Sequence, residues 1–470
     1  MSPSVKNVGV VVGVGLLAGL IRAVGLVVVG GEGLGPDAPG ALAAVTLGGH
    51  PYPLHPLLIG LFGGAGRLSV VSGAVMASAL ASVAPRLGGS ALGIGLAVAC
   101  APLLVEIGAL SGGDAPALAL AAVGWAAALG GRRLVGGVLA GLSLGVKPTA
   151  LALWPVVAVA GGLPGVLGLA LGAAPFAEAL RPLVAPRPSG GLLGSWWRSS
   201  GGAPPRLDQL GELVSQGLNA LAGLPAWTLV GPTVVLAIFG VCWPGEDRRR
   251  RVLALIVALA ALIGVSLLLG DQLRARYLVA PVLALSALAG RFAWVHGLGL
   301  ALAAAALSQL GALRASEEGV RTSSPLLPWP DTQAEARFVD YGLCGAEELR
   351  TMATTLAETS PVGGTVAVLR LRDGREGELV WPLLALRPDL RVERVHGRCC
   401  PGAVNTCAAA LMLRPAPIVF PARPERCLTP VVDPDERALA ASLAALYDGV
   451  GVFGLWPGRP GQDTWRCGAP

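Results

Sequence analysis

Ionisable side chains are sparse in the first two thirds of the chain, and several of them gather in short segments between long apolar runs. The candidates for chemistry lie in these segments: Asp37, His50, Tyr52 and His55; Glu106 and Asp114; Lys147; and Arg274, Arg276 and Tyr277. The acids come early in the chain and most of the bases come later. A carboxylate can remove a proton from a hydroxyl group, and cationic side chains can hold a phosphate. These residue types therefore predict a site that activates a hydroxyl beside a phosphate.

A structural role is the alternative for each of these residues, and the sequence leaves it open. Asp37 and Asp114 both precede a helix-like segment with alanine and proline next, which is typical of a helix cap. Arg274 and Arg276 could anchor a helix at a membrane surface. The histidines could be hydrogen-bonding residues of a loop, and Lys147 could meet lipid headgroups.

The composition indicates a protein that crosses a membrane several times. Of the 470 residues, 53% are hydrophobic and only 14% are charged, whereas a soluble domain carries about 25% charged residues. The net charge of +6 comes from short basic clusters beside apolar runs. We interpret it as the positive-inside bias of a membrane protein, which argues against a nucleic-acid partner. The first apolar run is too long for a typical signal peptide, so we expect an uncleaved helix.

The basic clusters also predict the topology. We place Arg86, Arg132-Arg133, Arg248–Arg251 and Arg291 in the cytoplasm. The predicted spans are 8–30, 67–86, 88–109, 115–131, two short helices meeting at Lys147-Pro148, then 164–182, 224–243, 252–270, 277–290 and 293–313. This gives about eleven spans in an inner or plasma membrane. The N-terminus is then cytoplasmic and Lys147 lies on the outer side. One long helix kinked at Pro148 is the alternative.

Residues 315–470 have the composition of a soluble domain, which the topology places outside the cytoplasm. Predicted strands such as "TVAVLRL", "PIVF" and "GVGVFGLW" alternate with helical segments, so we expect an α/β fold. All cysteines outside the apolar spans fall here: Cys344, Cys399, Cys400, Cys407, Cys427 and Cys467. Such a set in an exported domain predicts disulfides. A metal site at His396 and Cys399 is the rival interpretation.

Two features inside the apolar runs predict packing rather than chemistry. Arg22 lies within the first span, and we expect it to be a satisfied residue of a helix bundle. The segment "LVGGVLAGLSLG" places small residues four apart, which favours close helix packing over a phosphate loop.

The order of these segments resembles the GT-C superfamily of membrane glycosyltransferases, in particular its protein O-mannosyltransferase and aminoarabinose-transferase branch. The resemblance covers about residues 8–313. It is carried by "GPDAPGALAAVTLGGHPYPLHPLLIGL", "SGGDAPALAL", "RRLVGGVLAGLSLGVKPTALALWP" and "DQLRARYLVAPVLALSALAG", with a soluble domain after the last span.

The resemblance implies a polytopic helical fold and a one-step inverting transfer of a sugar from a polyprenyl-phosphate donor at the outer leaflet. It assigns Asp37 as catalytic base and Asp114 as the second acid. It makes Lys147 and Arg274 or Arg276 candidates for holding the donor phosphate. Ala38 follows Asp37 where many members have a second acid. This departure argues against a two-carboxylate metal site in that loop, and a divalent metal cofactor stays open.

Two other functions remain open from the sequence. A transporter or lipid flippase would favour an inverted repeat and ionisable groups at mid-membrane. A non-catalytic relative that binds a partner through its outer domain is the second alternative. The partners expected of the transferase are membrane lipids, the lipid-phosphate sugar and a lipid, glycan or protein acceptor.

Overall fold

The computed structural model describes residues 5–29, 52–109, 112–180, 227–242, 248–269, 275–290, 354–369, 389–395, 418–421 and 453–456, with parts of 211–219, 299–307, 383–387 and 442–445. Helices make up most of these residues. They belong to two compact units, a helical one that ends before the sheet begins and one that contains the sheet.

The helical unit contains twelve α-helices whose bounds the structure describes. They are α1 (Val5–Val29), α2 (Leu54–Phe62), α3 (Ala65–Ser82), α4 (Ala84–Leu87), α5 (Ala91–Cys100), α6 (Pro102–Ala109), α7 (Asp114–Leu129), α8 (Arg133–Leu142), α9 (Trp154–Ala173), α10 (Trp227–Cys242), α11 (Arg248–Leu269) and α12 (Val279–Ala289). Short 3₁₀ segments lie at Ser143–Gly145, Pro148–Leu153, Ala174–Leu180 and Ala275–Leu278.

Several of these helices could cross a membrane. Among the described residues, four stretches are long and apolar enough by length and composition: Val8–Val28, Ala65–Ser82, Pro148–Ala177 and Arg251–Leu269. The bent pair α5 and α6 makes a fifth if it is one span. The structure is therefore that of a mainly helical protein with several potential membrane spans. The total of about eleven and the orientation stay predictions.

The predicted span 88–109 is not one continuous helix, and its place as a single span stays a prediction. It divides into α5 and α6, which are bent by 57°. Ala101 between them has an extended backbone, with φ −59° and ψ 120°. Pro102 explains the break, because proline disfavours the helical conformation in the residue before it and has no N–H to donate.

A second break lies at Lys147-Pro148, as the sequence predicts. α8 ends at Leu142, and Lys147 has an extended backbone with φ −170° and ψ 141°. The same effect of a following proline ends the helix here. The alternative of one long helix kinked at Pro148 is wrong.

The chain reverses once more at Gly162, within α9. Its φ of 60° and ψ of −154° suit glycine, because a side chain would clash in this conformation. The arm before Gly162 runs antiparallel to α8. Trp154 donates its indole N–H to the Ala140 carbonyl at 3.0 Å, while Gly161 lies beside Arg133 at the other end of α8. The apolar stretch Pro148–Ala177 is therefore two arms rather than one straight rod.

The second arm of α9 packs tightly against α8 along glycines. A Cβ added at Gly137 would lie 2.9 Å from the Cα of Gly168, and one at Gly141 would lie 2.9 Å from the Cα of Gly172. Real side chains cannot approach backbone so closely, so these positions need glycine. The prediction that this glycine-rich segment serves helix packing is confirmed.

The second unit contains a four-stranded sheet with the order β2-β1-β3-β4. Its strands are β1 (Thr365–Leu369), β2 (Arg391–Val395), β3 (Ile418–Pro421) and β4 (Phe453–Trp456). β1 pairs parallel with β2 and β3, and β3 pairs antiparallel with β4. The strands predicted in "TVAVLRL", "PIVF" and "GVGVFGLW" are confirmed, whereas β2 was missed. The extent of the α/β domain stays a prediction.

Candidate functional site

Asp114 occupies the first position of α7, directly after two glycines. Gly113 is the N-cap residue. The Asp114 carboxylate accepts from Lys147 through Oδ2 and has no bond at Oδ1, so it makes no capping hydrogen bond among the described residues. The helix-cap interpretation of Asp114 is therefore wrong. Its side chain is 7% exposed, so the helix start carries a carboxylate away from water. An acid here is favoured by the positive end of the helix dipole.

Lys147 supplies the partner of this carboxylate. Its Nζ donates to Asp114 Oδ2 at 2.9 Å, and the lysine side chain is 8% exposed. Taking both charges out of water is costly, and their attraction offsets that cost only because the two groups meet directly. The Lys147-Pro148 break and the start of α7 thus build one buried ion pair.

One oxygen of the Asp114 carboxylate is left over. Oδ1 is buried and has no hydrogen-bond partner within the part of the chain that the structure describes. A buried acceptor without a partner is uncommon, because its lost hydration is not replaced. This oxygen could accept a hydrogen bond from a hydroxyl group brought in by a ligand.

His55, at the start of α2, lies beside the Asp114–Lys147 ion pair. The His55 side chain is buried, and its Nδ1 would be 3.1 Å from a Cβ at Gly113, where Lys147 Cδ would be at 3.4 Å. Leu54 packs on the backbone of Gly145, just before Lys147. We call His55, Gly113, Asp114 and Lys147 the ion-pair cluster. The absent side chain of Gly113 leaves room for the imidazole and the lysine stem.

α2 begins within a proline-rich segment. Pro53 is its N-cap residue and Pro56 lies in its first turn. Proline is tolerated in a first turn because the N–H it lacks has no partner inside the helix. The Tyr52 carbonyl accepts the His55 N–H at 3.1 Å, which closes the entry to α2. These prolines therefore start a helix and carry His55 to the cluster.

Glu106 lies nearby in sequence, fully buried on α6. α6 contacts α7 and also the 3₁₀ turn Ala275–Leu278, which contains Arg276 and half-buried Tyr277. The structure thus brings the helix that carries Glu106 into contact with the turn that carries Arg276 and Tyr277. Asp37, His50 and Arg274 lie outside the described residues, as does the side chain of Arg276.

The two ends of α7 differ in charge. The ion-pair cluster is at its first residue, and exposed Arg132 and Arg133 follow its last. A helix of 16 residues is roughly 24 Å long. The length of an apolar helix therefore separates Asp114 and Lys147 from the exposed arginines Arg132 and Arg133.

Metal ligands are not clustered in the described part of the chain, where no group of three or more His, Cys, Asp and Glu residues could hold a metal ion. Cys100 and Cys242 are free thiols, and no disulfide occurs among the described residues. The six cysteines predicted to form disulfides, and His396, lie outside them.

A second polar cluster, in the sheet-containing unit, is structural. Arg387 donates to the carbonyls of Ala357 and Ser360 and to Asp389, and Asp389 accepts the Gly363 N–H at 2.7 Å. The hydrogen bonds from Arg387 and Gly363 hold the pKa of the Asp389 carboxyl well below its usual range. These bonds fix the loop before β1.

Comparisons with protein-family models, with curated proteins and with solved structures found no match to this chain. The fold and the ion-pair cluster define a mainly helical protein with potential membrane spans and a buried acid–base pair at one end of its bundle.

Proposed function

We propose that this chain is a membrane glycosyltransferase that moves a sugar from a polyprenyl-phosphate donor to an acceptor hydroxyl at the outer face of the membrane. The observation that carries the proposal is the buried Asp114–Lys147 pair, whose Asp114 Oδ1 has no partner among the described residues. A carboxylate oxygen and an ammonium group at one place suit a substrate that presents both hydroxyls and a phosphate.

The reaction is a single displacement. The acceptor oxygen forms a bond to the anomeric carbon while the bond from that carbon to the phosphate oxygen breaks. The phosphate leaves with the electron pair, and the hydroxyl proton passes to a carboxylate. Asp37 is the proposed general base, and Asp114 orients a substrate hydroxyl through Oδ1. One displacement inverts the configuration at the anomeric carbon.

Cationic groups stabilise the departing lipid phosphate. A lysine ammonium has three hydrogen-bond donors, so Lys147 can keep Asp114 and still reach a phosphate oxygen. Arg274 or Arg276 is the proposed second cation, since charge develops on the leaving group as the bond breaks. His50, Tyr52, His55, Glu106 and Tyr277 are the proposed lining of the substrate site.

The orientation follows from the two ends of α7. Arg132 and Arg133 favour the cytoplasmic side under the positive-inside rule, which puts the ion-pair cluster at the outer surface. The domain of residues 315–470 is then extracytoplasmic and can contact a lipid, glycan or protein acceptor. A donor with a lipid phosphate needs no nucleotide-binding fold.

A transfer assay on the purified full-length chain tests the proposal. The protein is incubated in detergent with polyprenyl-phosphate sugars of several kinds and with lipid and glycan acceptors, and products are identified by mass spectrometry. We expect a glycosylated acceptor and free polyprenyl phosphate in equal amounts. In a second assay the protein is reconstituted into lipid vesicles, and movement of the donor across the membrane with no cleavage would instead identify a flippase.

A further inference from the structure

The break between α5 and α6 leaves backbone carbonyls at the end of α5 without helical partners. The Val98 carbonyl would normally accept the N–H four residues on, but that residue is Pro102, which has none. In a membrane interior such groups are costly, because there is no water to bond them. Something else must therefore satisfy the end of α5.

Arg22 of α1 does so. Its Nη1 donates to the Ala99 carbonyl at 2.8 Å, and its Nη2 donates to the Val98 carbonyl at 3.5 Å. Nη1 also reaches Ala18 of its own helix at 3.1 Å. A cation at a helix C-terminus is further stabilised by the helix dipole. The guanidinium thus bonds the last carbonyls of α5, closely at Ala99 and at the limit of hydrogen-bond distance at Val98, whose usual donor Pro102 lacks.

The surroundings of Arg22 are shaped to hold its side chain. Arg22 has no exposed surface, and its stem lies where Gly73 of α3 and Gly108 of α6 have no side chains. A Cβ at Gly108 would lie 2.5 Å from Arg22 Cγ, so even alanine would push the arginine away. Arg22 therefore contacts both sides of the break, α5 through its carbonyls and α6 through Gly108.

α6 is short and carries Glu106, and α7 with Asp114 follows it after four residues, of which the structure describes the two glycines. The direction of α6 thus sets where Glu106 lies and where α7 begins. We propose that Arg22 is a positioning residue of the active site: it fixes the bend at Pro102 and so places Glu106 and Asp114. This inference rests on the proposed function for its catalytic meaning, but not for its structural content.

A double-substitution cycle tests the structural part of the proposal, the capping of α5 by Arg22, separately from its catalytic part. Arg22→Leu alone leaves the Val98 and Ala99 carbonyls unbonded, and we expect the Tm in detergent to fall by at least about 3 °C. Pro102→Ala restores an N–H for Val98, so Arg22→Leu in that background should lower the Tm by less than half as much. Arg67→Leu, at an exposed position of α3, and Pro85→Ala, in the first turn of α4, are the matched controls. Additive losses of Tm would overturn the capping role.

Activity and labelling then test the positioning role. The variant with both substitutions should melt near the wild type, yet its kcat for transfer should fall at least tenfold with KM for the donor within threefold. Arg22→Lys keeps one donor and should retain more activity than Arg22→Leu. A stable double variant with wild-type kcat would overturn the proposal.

A third experiment, the alkylation of an introduced cysteine, does not depend on any transferase activity. In the chain with Glu106→Cys, peptide-resolved alkylation reports the place of α6, and the paired Arg22 and Pro102 substitutions should change its rate at least threefold. An unchanged rate would overturn the positioning role even if no donor is found. Absence of wild-type transfer with a changed rate would contradict the proposed function alone.

Discussion

Asp114 and Lys147 each depend on the other because both charges are removed from water. With side chains 7% and 8% exposed, neither charge is compensated by solvent in the structure. Removing one partner of such a pair leaves an uncompensated charge, whereas replacing both with neutral groups is often tolerated. The pair is therefore a sensitive point for stability as well as the proposed centre of the reaction.

This asymmetry gives a stability prediction. Lys147→Met should lower the free energy of unfolding by about 3–5 kcal/mol, because Asp114 would stay buried without its cation. Adding Asp114→Asn should recover more than half of that loss. Arg132→Met, at an exposed position beyond the far end of α7, is the control and should change stability little. Thermal unfolding in detergent measures all of these variants. If Lys147→Met were as stable as the wild type, the ion pair would contribute nothing to stability.

The sequence identifies the members of the ion-pair cluster but not their geometry. His55, Asp114 and Lys147 stand out because ionisable side chains are rare between apolar runs. Their pairing was not predicted, since acids and bases were assigned separate tasks. The signal was present, because Asp114 and Lys147, the second of only two lysines, lie at the same end of the predicted bundle. The role of Arg22 was missed because it depends on Pro102, in a different helix.

Packing of α8 against the second arm of α9 depends on missing side chains. Gly137→Ala should destabilise the protein by more than about 1 kcal/mol, because the new Cβ would lie 2.9 Å from Gly168 Cα and force the helices apart. Gly13→Ala in α1 is the matched control, because a Cβ there meets nothing within 4 Å. Alanine favours a helix by roughly 0.5–1 kcal/mol over glycine, so the control should be neutral or slightly more stable. Equal Tm values for the two variants would contradict the close packing.

Helix positions follow from the apolar runs, but the effect of each proline does not. α1, α7 and α11 lie close to predicted spans because long apolar stretches admit few alternatives. Pro102 breaks a predicted span, Pro56 sits in the first turn of α2, and Pro164 lies just after the reversal in α9. Proline removes the backbone N–H that would bond in a helix, but this alone does not determine whether the chain bends, reverses or begins a helix there. That choice is made by packing against helices distant in sequence.

The topology of the whole chain predicts opposite labelling at two exposed positions. In intact cells, a cysteine replacing Arg132 should react only with a membrane-permeant thiol reagent. A cysteine replacing Glu212 should react with an impermeant one, since residues 183–223 are expected outside. Peptide-resolved mass spectrometry distinguishes these sites from the native cysteines. The reverse pattern would place the ion-pair cluster in the cytoplasm and remove the proposed access to outer-leaflet donors.

If residues 315–470 form an exported domain, as we predict, it should contain at least two disulfides among its six cysteines. Cys399 and Cys400 should not pair with each other, because adjacent residues strain the geometry of the bond. Alkylation without reductant, followed by mass spectrometry, should find few free thiols in residues 315–470. Cys100 and Cys242, which are free in the structure, serve as the internal standard under denaturing conditions. Six free thiols in protein purified from an oxidising compartment would contradict both the pairing and the location.

Sugar transfer from a lipid phosphate with carboxylate assistance should depend on Asp37, and the substitution Asp37→Asn removes its carboxylate. Asparagine keeps the size and capping ability of aspartate but cannot take a proton. In a transfer assay with polyprenyl-phosphate sugars, we expect product from the wild type and at least about a hundredfold less from Asp37→Asn, with expression and donor binding nearly unchanged. Glu358→Gln, an exposed carboxylate in the second unit, should behave as wild type. If the transfer activity of Asp37→Asn lies within about threefold of the wild type, Asp114 becomes the candidate base. No transfer from any polyprenyl-phosphate sugar by the folded wild-type protein would contradict the account.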